Sequence, residues 1–279
     1  MTTSRRKVVE RELGEIDFYL PEITPGIDIE PVEEYIGSLF PTVGIHSRSP
    51  IFLRLSGSRL GDVAARLASS RVKDPSTAVQ PNEPMYGEVD YERRAILGKA
   101  KLGGVVYDGH MVEAICLDLL KTRSSLGRCS IVLTDRLLST YSQDDIRHHL
   151  RTVVCGFPSL ISIPGVVEAP AKPKEYYFMR QQLEAAGAGE HELLRLRSAF
   201  KGRFIDYDDP SISEVLKGLA LQAVMFHMTL DPFCSDRHCR LFNSHWQEEL
   251  IESQVRSQRL CGRHAKLVRS YGGHPRLAW

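Results

Sequence analysis

Three cysteines and a histidine near the carboxyl end have the residue types and spacing of a metal site. Four residues separate Cys234 from Cys239, two separate Cys261 from His264, and 21 residues lie between the two pairs. Zinc is bound tetrahedrally by thiolates and imidazoles, and a short loop with two ligands supplies half of such a site. Because four protein ligands leave no position for water or substrate, the pattern predicts one structural Zn²⁺ ion.

Two other histidines, His238 and His245, lie close enough in sequence to serve as ligands. His238 falls inside the first cysteine loop and would strain it, so His264 is the preferred fourth ligand. The alternative is that the three cysteines are buried core residues and the histidine lies at the surface. The cysteines outside this cluster have apolar neighbours typical of core residues; they are Cys116, Cys129 and Cys155.

The segments around the cysteines have helical patterns. Residues 211–228 have a helical pattern that is apolar almost all round from Leu219 onward, which predicts a buried helix. Asp209 is its predicted N-cap, Pro210 its first residue and Pro232 its stop. This helix carries His227, seven residues before Cys234. The spacer 240–258 is predicted to be a second helix between the ligand pairs.

Upstream, the chain alternates between strand and helix patterns, which predicts an α/β (α+β) fold with a sheet packed against helices. The predicted strands are 15–23, 42–49, 130–138, 148–157 and 159–169, with another entered from the loop 98–108. The predicted helices are 29–40, 58–69, 110–120 and two pieces interrupted at Gly187 and Gly189. Residues 1–69 form an α/β lead-in, 70–88 a loop or linker and 89–279 the remainder, together one continuous domain.

Composition narrows the function classes. The chain has 279 residues, 42% of them hydrophobic, and 36 basic against 35 acidic residues give a formal charge of +1. This balance gives no whole-protein signal for nucleic acid or membrane. The sequence has no apolar run of about 18 residues and no signal-peptide pattern at its start, so we expect a cytoplasmic protein with reduced cysteines.

The cysteine pattern resembles that of the archaemetzincins, zinc metallopeptidases of archaea and some other organisms. Their signature is His-Glu-x-x-His-x-x-Gly-x-x-His-Cys, then four residues, a second cysteine and, after a spacer, Cys-x-x-Cys. The first two cysteine positions are Cys234 and Cys239, and Cys261 and His264 stand where the final pair would be. The resemblance covers roughly residues 130–268, and Leu133-Thr134-Asp135 looks like a strand ending that recurs in the family. It implies a metzincin-like mixed sheet, a zinc-stapled helical segment at the carboxyl end and an archaeal source.

The departures from that signature bear on activity. The first histidine position is Ala223, the general-base glutamate is Val224, and the third histidine is Phe233. Only the second histidine is kept, as His227, while the turn glycine is Leu230 and the methionine after the second cysteine is Leu241. Catalytic zinc needs three protein ligands, a water and a carboxylate base. We therefore interpret His227 as a hydrogen-bonded core residue and predict no catalytic residues.

Three functions remain open. The favoured one is an inactive metallopeptidase homologue that keeps structural zinc and binds a peptide or protein partner. The second is an active hydrolase with relocated ligands; the candidates are Asp206, Asp208, Asp209, Asp231, His227 and His238. The third is a zinc-stabilised nucleic-acid-binding or protein-interaction module, since residues 234–279 hold eight Arg or Lys against four Asp or Glu. Its candidate phosphate contacts are Arg256, Arg259, Arg263, Lys266, Arg269 and Arg276.

Two further histidine patterns carry no metal prediction. The segment His191-Glu192 begins like a zinc-peptidase helix but has Arg195 where the second histidine would be. His148 and His149 are neighbours on a predicted strand, so their rings point to opposite faces and cannot easily share an ion.

Overall fold

The computed structural model describes residues 13–21, 27–53, 55–80, 83–120 and 126–272. Within them strands and helices are mixed in the first part, five consecutive strands follow, and the elements after those strands are helical, in keeping with the predicted α/β (α+β) fold. The strands are β1 (Glu15–Tyr19), β2 (Gly44–Arg48), β3 (Val106–Asp108), β4 (Arg128–Thr134), β5 (Leu137–Ser142), β6 (Arg147–Arg151), β7 (Val153–Val154) and β8 (Ser159–Ser162). The helices are α1 (Glu30–Leu39), α2 (Gly57–Ser69), α3 (Tyr86–Ile96), α4 (Gly109–Leu120), α5 (Ile163–Glu168), α6 (Lys174–Ala185), α7 (Glu190–Ala199), α8 (Ser211–Thr229), α9 (Gln247–Leu250), which continues as a π-helix over Ile251–Ser257, and α10 (Gly262–Gly272).

A five-stranded sheet in the order β2-β1-β4-β8-β7 forms the centre of the molecule. Neighbours among β2, β1, β4 and β8 run parallel, and β7 is antiparallel to β8. A mostly parallel sheet is stable when both faces are covered. Ile131 and Leu133 of β4 pack into the cluster that contains residues of α1 and α8, and Val132 packs into the cluster of α2 and α4. The mixed sheet packed with helices is therefore as predicted.

A second sheet in the order β3-β5-β6 corrects two of the predicted strands. The predicted strand 130–138 is two strands, because the chain leaves the first sheet after Thr134 and enters the second at Leu137. The predicted strand 148–157 likewise divides at Thr152 into β6 of the second sheet and β7 of the first. Arg136 lies buried at the first of these crossings, with its guanidinium over the rings of Phe52 and Tyr107.

The predicted strand 159–169 was also wrong in its second half. Strand β8 ends at Ser162 and helix α5 begins at Ile163. The Ser162 hydroxyl accepts a hydrogen bond of 3.0 Å from the Gly165 amide, and Pro164 lies in the first turn. A serine N-cap followed by proline favours a helix start, and this capping outweighs the β-branched residues that suggested a strand.

Helix α8 is buried along most of its 19 residues, as predicted. It begins one residue after Pro210, and the Asp209 carboxylate accepts a 2.8 Å hydrogen bond from the Ser211 amide. It ends at Thr229 rather than at Pro232, because Leu230 adopts a left-handed conformation with φ of 58°. A Cβ on Gly218 would lie 1.7 Å from the Gln254 side-chain oxygen, so glycine permits the π-helix to pack closely against α8.

Of the predicted loop 70–88, residues 70–80 and 83–85 are irregular except for an isolated bridge from Arg71 to Tyr107, and α3 begins at Tyr86. Strand β1 of the lead-in pairs with β4. The division into lead-in, loop and later domain stays a prediction. Of the helices in the described ranges, none has the length and apolar character needed to cross a bilayer.

Candidate metal centre

The first ligand pair lies in the loop that follows α8. Hydrogen bonds fold this loop back on itself: the Cys239 amide donates to Asp236 O at 2.9 Å and the Cys234 amide to Leu241 O at 2.7 Å. The Asp236 amide lies 3.4 Å from the Cys234 sulfur and donates to it. The four residues between the cysteines therefore form a turn that directs both sulfurs to one side.

Arg240, which follows Cys239, ties this loop to the helices. Its buried guanidinium pairs with Glu214 of α8, and it lies 4.7 Å from the ring centre of Tyr35. The Gln254 side-chain amide donates to Arg240 O at 2.8 Å. Sequence reasoning placed residue 240 at the start of a helical spacer, but residues 240–246 are irregular and helix begins only at Gln247. The buried arginine was therefore missed.

The second pair lies at the start of α10. Cys261 precedes the helix, and the Ala265 amide donates to Cys261 O at 2.8 Å, which places His264 one turn further on the same side. The Cys261 amide also donates to the Cys239 sulfur at 3.4 Å. This hydrogen bond joins the two pairs directly.

The structure brings the four predicted ligands together. The three sulfurs and a ring nitrogen of His264 all lie within 4.8 Å of one another. Cys234 and Cys261 sulfurs are 3.9 Å apart, and His264 Nδ1 is 3.8 Å from the Cys239 sulfur and 3.1 Å from that of Cys261. A tetrahedral zinc with Zn–S bonds of about 2.3 Å needs sulfur–sulfur separations of about 3.8 Å. The set of donor atoms and the distances between them thus fit a metal-binding site.

The protonation equilibria of the cluster depend on burial and on neighbouring N–H groups. Burial raises the pKa of Cys239 to about 12, and it also raises the pKa of Cys234. Burial opposes ionisation of Cys261 as well, yet the backbone N–H of His264 and the neighbouring thiols hold its pKa below the ordinary value. Burial lowers the pKa of His264, which favours the neutral imidazole that a metal requires. A bound dication would favour the thiolate form of all three cysteines.

The alternative histidine ligands lie outside this cluster. His238 Nδ1 is 3.0 Å from the Glu252 carboxylate, with which it pairs. His245 lines a cavity whose lining residues include none of the four ligands. The preference for His264 is thus consistent with the geometry.

The positions of the peptidase signature are filled by a different kind of side chain. Ala223 and Val224 are fully buried in the main core. His227 is buried too: its Nε2 donates to Leu126 O at 2.9 Å, and its ring lies 5.2 Å from that of Phe157. Burial lowers its pKa. These contacts match the interpretation of His227 as a hydrogen-bonded core residue.

The two remaining signature positions lie at the end of α8. Leu230 takes the left-handed conformation, with φ of 58°, that glycine adopts without steric cost. Phe233 lines a cavity of about 640 Å³ between strands β6 and β7 on one side and α8 with residues 242–245 on the other. This cavity, here called the cleft cavity, lies beside the altered signature.

The relocated ligands considered for an active hydrolase do not converge. Asp206 pairs with Arg197, and Asp231 accepts from Arg263 at 3.1 Å. Among the described residues, two groups of three or more potential ligands occur, and neither contains any of these candidates. Of the basic residues proposed for nucleic acid, Arg256 pairs with Glu252 at 3.7 Å, and Arg276 lies outside the described residues.

The second of those groups, Glu15, Asp17 and His46, was missed from the sequence. Glu15 and Asp17 lie two apart on β1 and share a face, a signal that the strand alternation contained. Arg128 pairs with both carboxylates, and Arg48 lies 2.9 Å from that of Asp17. The arginines neutralise these carboxylates, so the group is an ion-pair network.

The discarded histidine patterns are placed as expected. His191 is exposed in the first turn of α7. His148 Nδ1 lies 3.1 Å from the Ser139 hydroxyl, while His149 Nε2 lies 2.7 Å from the Asp145 carboxylate. The two rings therefore have different partners.

Comparison with known proteins yields one family and two structures. The model of the "Probable metallopeptidase family (DUF6775)" matches residues 12–271. An archaemetzincin from Methanopyrus kandleri has 11% identity and a TM-score of 0.43 over 92% of this chain and 94% of its own. A zinc-dependent peptidase from Methanocorpusculum labreanum has 13% identity and a TM-score of 0.43 over 91% of this chain and 100% of its own. No curated protein matches the chain.

Proposed function

The chain belongs to the Probable metallopeptidase family (DUF6775), which confirms its recognition as an archaemetzincin-like protein, and from this premise we propose a specific role. It is a metallopeptidase homologue without peptidase activity that keeps one structural zinc ion and binds a peptide in the cleft cavity. A cytoplasmic location is part of the proposal, because a reducing compartment keeps the three thiols available as ligands. An archaeal source stays a prediction from the resemblance.

The zinc part is supported by the ligand cluster. Cys234, Cys239, Cys261 and His264 would hold the ion with four protein atoms, which leaves no position for a reacting water. When bound, the ion would cross-link the loop after α8 to the start of α10. The amides of Asp236 and Cys261 donate to cysteine sulfurs, and such hydrogen bonds stabilise thiolates.

The loss of peptidase activity is carried by one observation: the positions of the first histidine and the general base are apolar and fully buried, as Ala223 and Val224. Their side chains can neither bind a metal nor accept a proton from water. The retained His227 donates to a backbone carbonyl and packs against Phe157. A single imidazole does not make a catalytic zinc site.

The binding role is supported by the cleft cavity. Its volume of about 640 Å³ lies within the usual range of ligand sites. Apolar side chains line one part of it, including Leu219, Phe233 and Phe242, and polar groups such as Asn243 and Ser244 line another. A peptide offers both kinds of partner.

The test combines metal analysis and a peptidase assay on the purified full-length protein. We expect about one zinc per chain that weak chelators do not remove, and no chelator-sensitive cleavage of casein or of a mixed peptide library. Chelator-sensitive proteolysis that disappears in a His227→Ala variant would overturn the assignment as inactive. Absence of zinc from protein prepared under reducing, zinc-supplemented conditions would overturn the structural-metal part.

A further inference from the structure

Basic side chains line part of the cleft cavity. Two arginines and three histidines contribute to it, and its lining residues include no aspartate or glutamate. The basic side chains are Arg147, Arg151, His110, His149 and His245. Carboxylates just outside the cavity neutralise some of them: Asp145 lies 2.9 Å from Arg147 Nε and 2.7 Å from His149 Nε2, and Glu113 lies 3.6 Å from His110 Nδ1.

Arg151 differs from Arg147, His149 and His110 because it has no carboxylate partner among the described residues. Its Nε donates to the Thr140 hydroxyl at 2.8 Å, across the β5–β6 pair. The carboxylate that acts on it electrostatically is Asp145, which is already paired with Arg147 and His149. The terminal guanidinium nitrogens are therefore left for a ligand in the cavity.

The surroundings of Arg151 make an anion favourable there. The side chain is half-buried, and burial lowers its pKa, which means that the charged form has lost part of its hydration. Arginine nevertheless stays charged at neutral pH, because its ordinary pKa is above 12. A carboxylate can accept two parallel hydrogen bonds from a guanidinium and so replace the lost hydration.

The remaining walls favour a peptide over a small free anion. Leu219, Phe233 and Phe242 offer apolar surface beside the cationic group. Val153 and Val154 of β7, the outer strand of the five-stranded sheet, also line the cavity, and an outer strand can pair with an extended peptide. The volume of about 640 Å³ is much larger than a single small anion requires.

We propose that the cleft cavity selects acidic peptides, with Arg151 binding an aspartate or glutamate side chain and the apolar wall contacting the residues beside it. This inference rests on the peptide-binding role proposed above and specifies its ligand class.

The test uses fluorescein-labelled peptides and fluorescence anisotropy with the full-length, zinc-loaded protein at neutral pH. In each of three peptides, alanine alternates with one other residue, which is glutamate in the first, glutamine in the second and lysine in the third. We expect the glutamate peptide to bind at least about tenfold more tightly than the glutamine peptide, since a charge-assisted contact is lost. The lysine peptide should bind more weakly still.

Three variants test whether the peptide binds in the cleft cavity. Arg151→Gln should weaken binding of the glutamate peptide by about tenfold or more and leave the affinity for the glutamine peptide nearly unchanged. Asn243 is exposed on the opposite wall of the cavity. Asn243→Asp should weaken binding of the glutamate peptide and strengthen binding of the lysine peptide without altering the β5–β6 pair. Arg180→Gln is the matched control, because Arg180 lies on α6 outside the cavity and pairs with Glu184.

The outcomes separate this inference from the role on which it rests. Equal affinity for the glutamate and glutamine peptides would overturn the acidic selectivity and leave peptide binding in place. Failure of all three peptides would overturn both, while zinc content would still test the metal site. Tighter binding of inorganic phosphate than of the glutamate peptide, measured by competition, would also overturn the assignment to peptide carboxylates.

Discussion

The last turns of α8 and the cysteine loop after it are adjacent in sequence, yet they carry opposite kinds of side chain. In α8 the ligand and base positions are Ala223 and Val224, both buried and apolar. In the loop and at the start of α10, four metal-ligating side chains converge within 4.8 Å. The comparison shows that one short stretch of chain combines a helix packed into the apolar core with a loop whose side chains can bind a metal.

The largest effect should come from removing one side chain of the predicted ligand cluster. Cys239→Ser removes a buried ligand, and because zinc binding free energy is folding free energy in such sites, we expect loss of the ion and a fall in melting temperature of more than about 10 °C. Circular dichroism and elemental zinc analysis measure both quantities. Cys116→Ser is the control, since Cys116 is a buried cysteine outside the cluster and should keep its zinc. Equal stability of Cys239→Ser and the wild type would contradict the structural role.

The second test introduces a polar side chain at an apolar, buried position of α8. Val224→Glu returns the general-base residue to a position that is fully buried, where an unpaired carboxylate should cost about 3–5 kcal/mol of unfolding free energy. Val224→Ala, the apolar control, should cost roughly 2 kcal/mol. Denaturant titration compares the two variants. A Val224→Glu protein as stable as the alanine variant would mean that this part of the core still has a polar site.

The smallest effect concerns His227 and pH. Burial lowers its pKa in the folded state, so the unfolded state binds a proton first as the pH falls below about 6.5. Its contribution to stability is therefore fully present above that value and is lost on acidification, at up to about 1.4 kcal/mol per pH unit. His227→Gln should flatten the stability curve between neutral pH and about pH 5.5 relative to the wild type. Metal release on acidification affects both proteins, so parallel curves would contradict a buried neutral histidine.

Much of the metal centre could be predicted because its signals are local. The spacing of Cys234 to Cys239 and of Cys261 to His264 is short enough to be set by one turn each, and the buried character of α8 follows from its apolar composition. The family resemblance also identified which signature positions had changed. These predictions depended on residues close together in the chain.

The errors arose where tertiary contacts decide local structure. Residues 130–138 and 148–157 look like continuous strands, but each crosses between two sheets, and such a crossing has no periodicity of its own. The ion pair of Arg240 with Glu214 joins residues 26 apart. Arg151 acquires its character because the carboxylate that acts on it, Asp145, is already paired with Arg147 and His149. Charge pairing across the fold cannot be read from the spacing of residues within one segment.

The junction between Cys234 and Cys261 has a further consequence for the chain as a polymer. These positions are 27 apart, and their sulfurs nearly touch. A metal bridge there would act on the denatured ensemble much as a covalent cross-link does, and a link across a loop of this length removes about 3.5 kcal/mol of chain entropy. A protein in a reducing compartment can thus obtain the conformational restriction of a disulfide from an ion, and can release it by chelation instead of reduction.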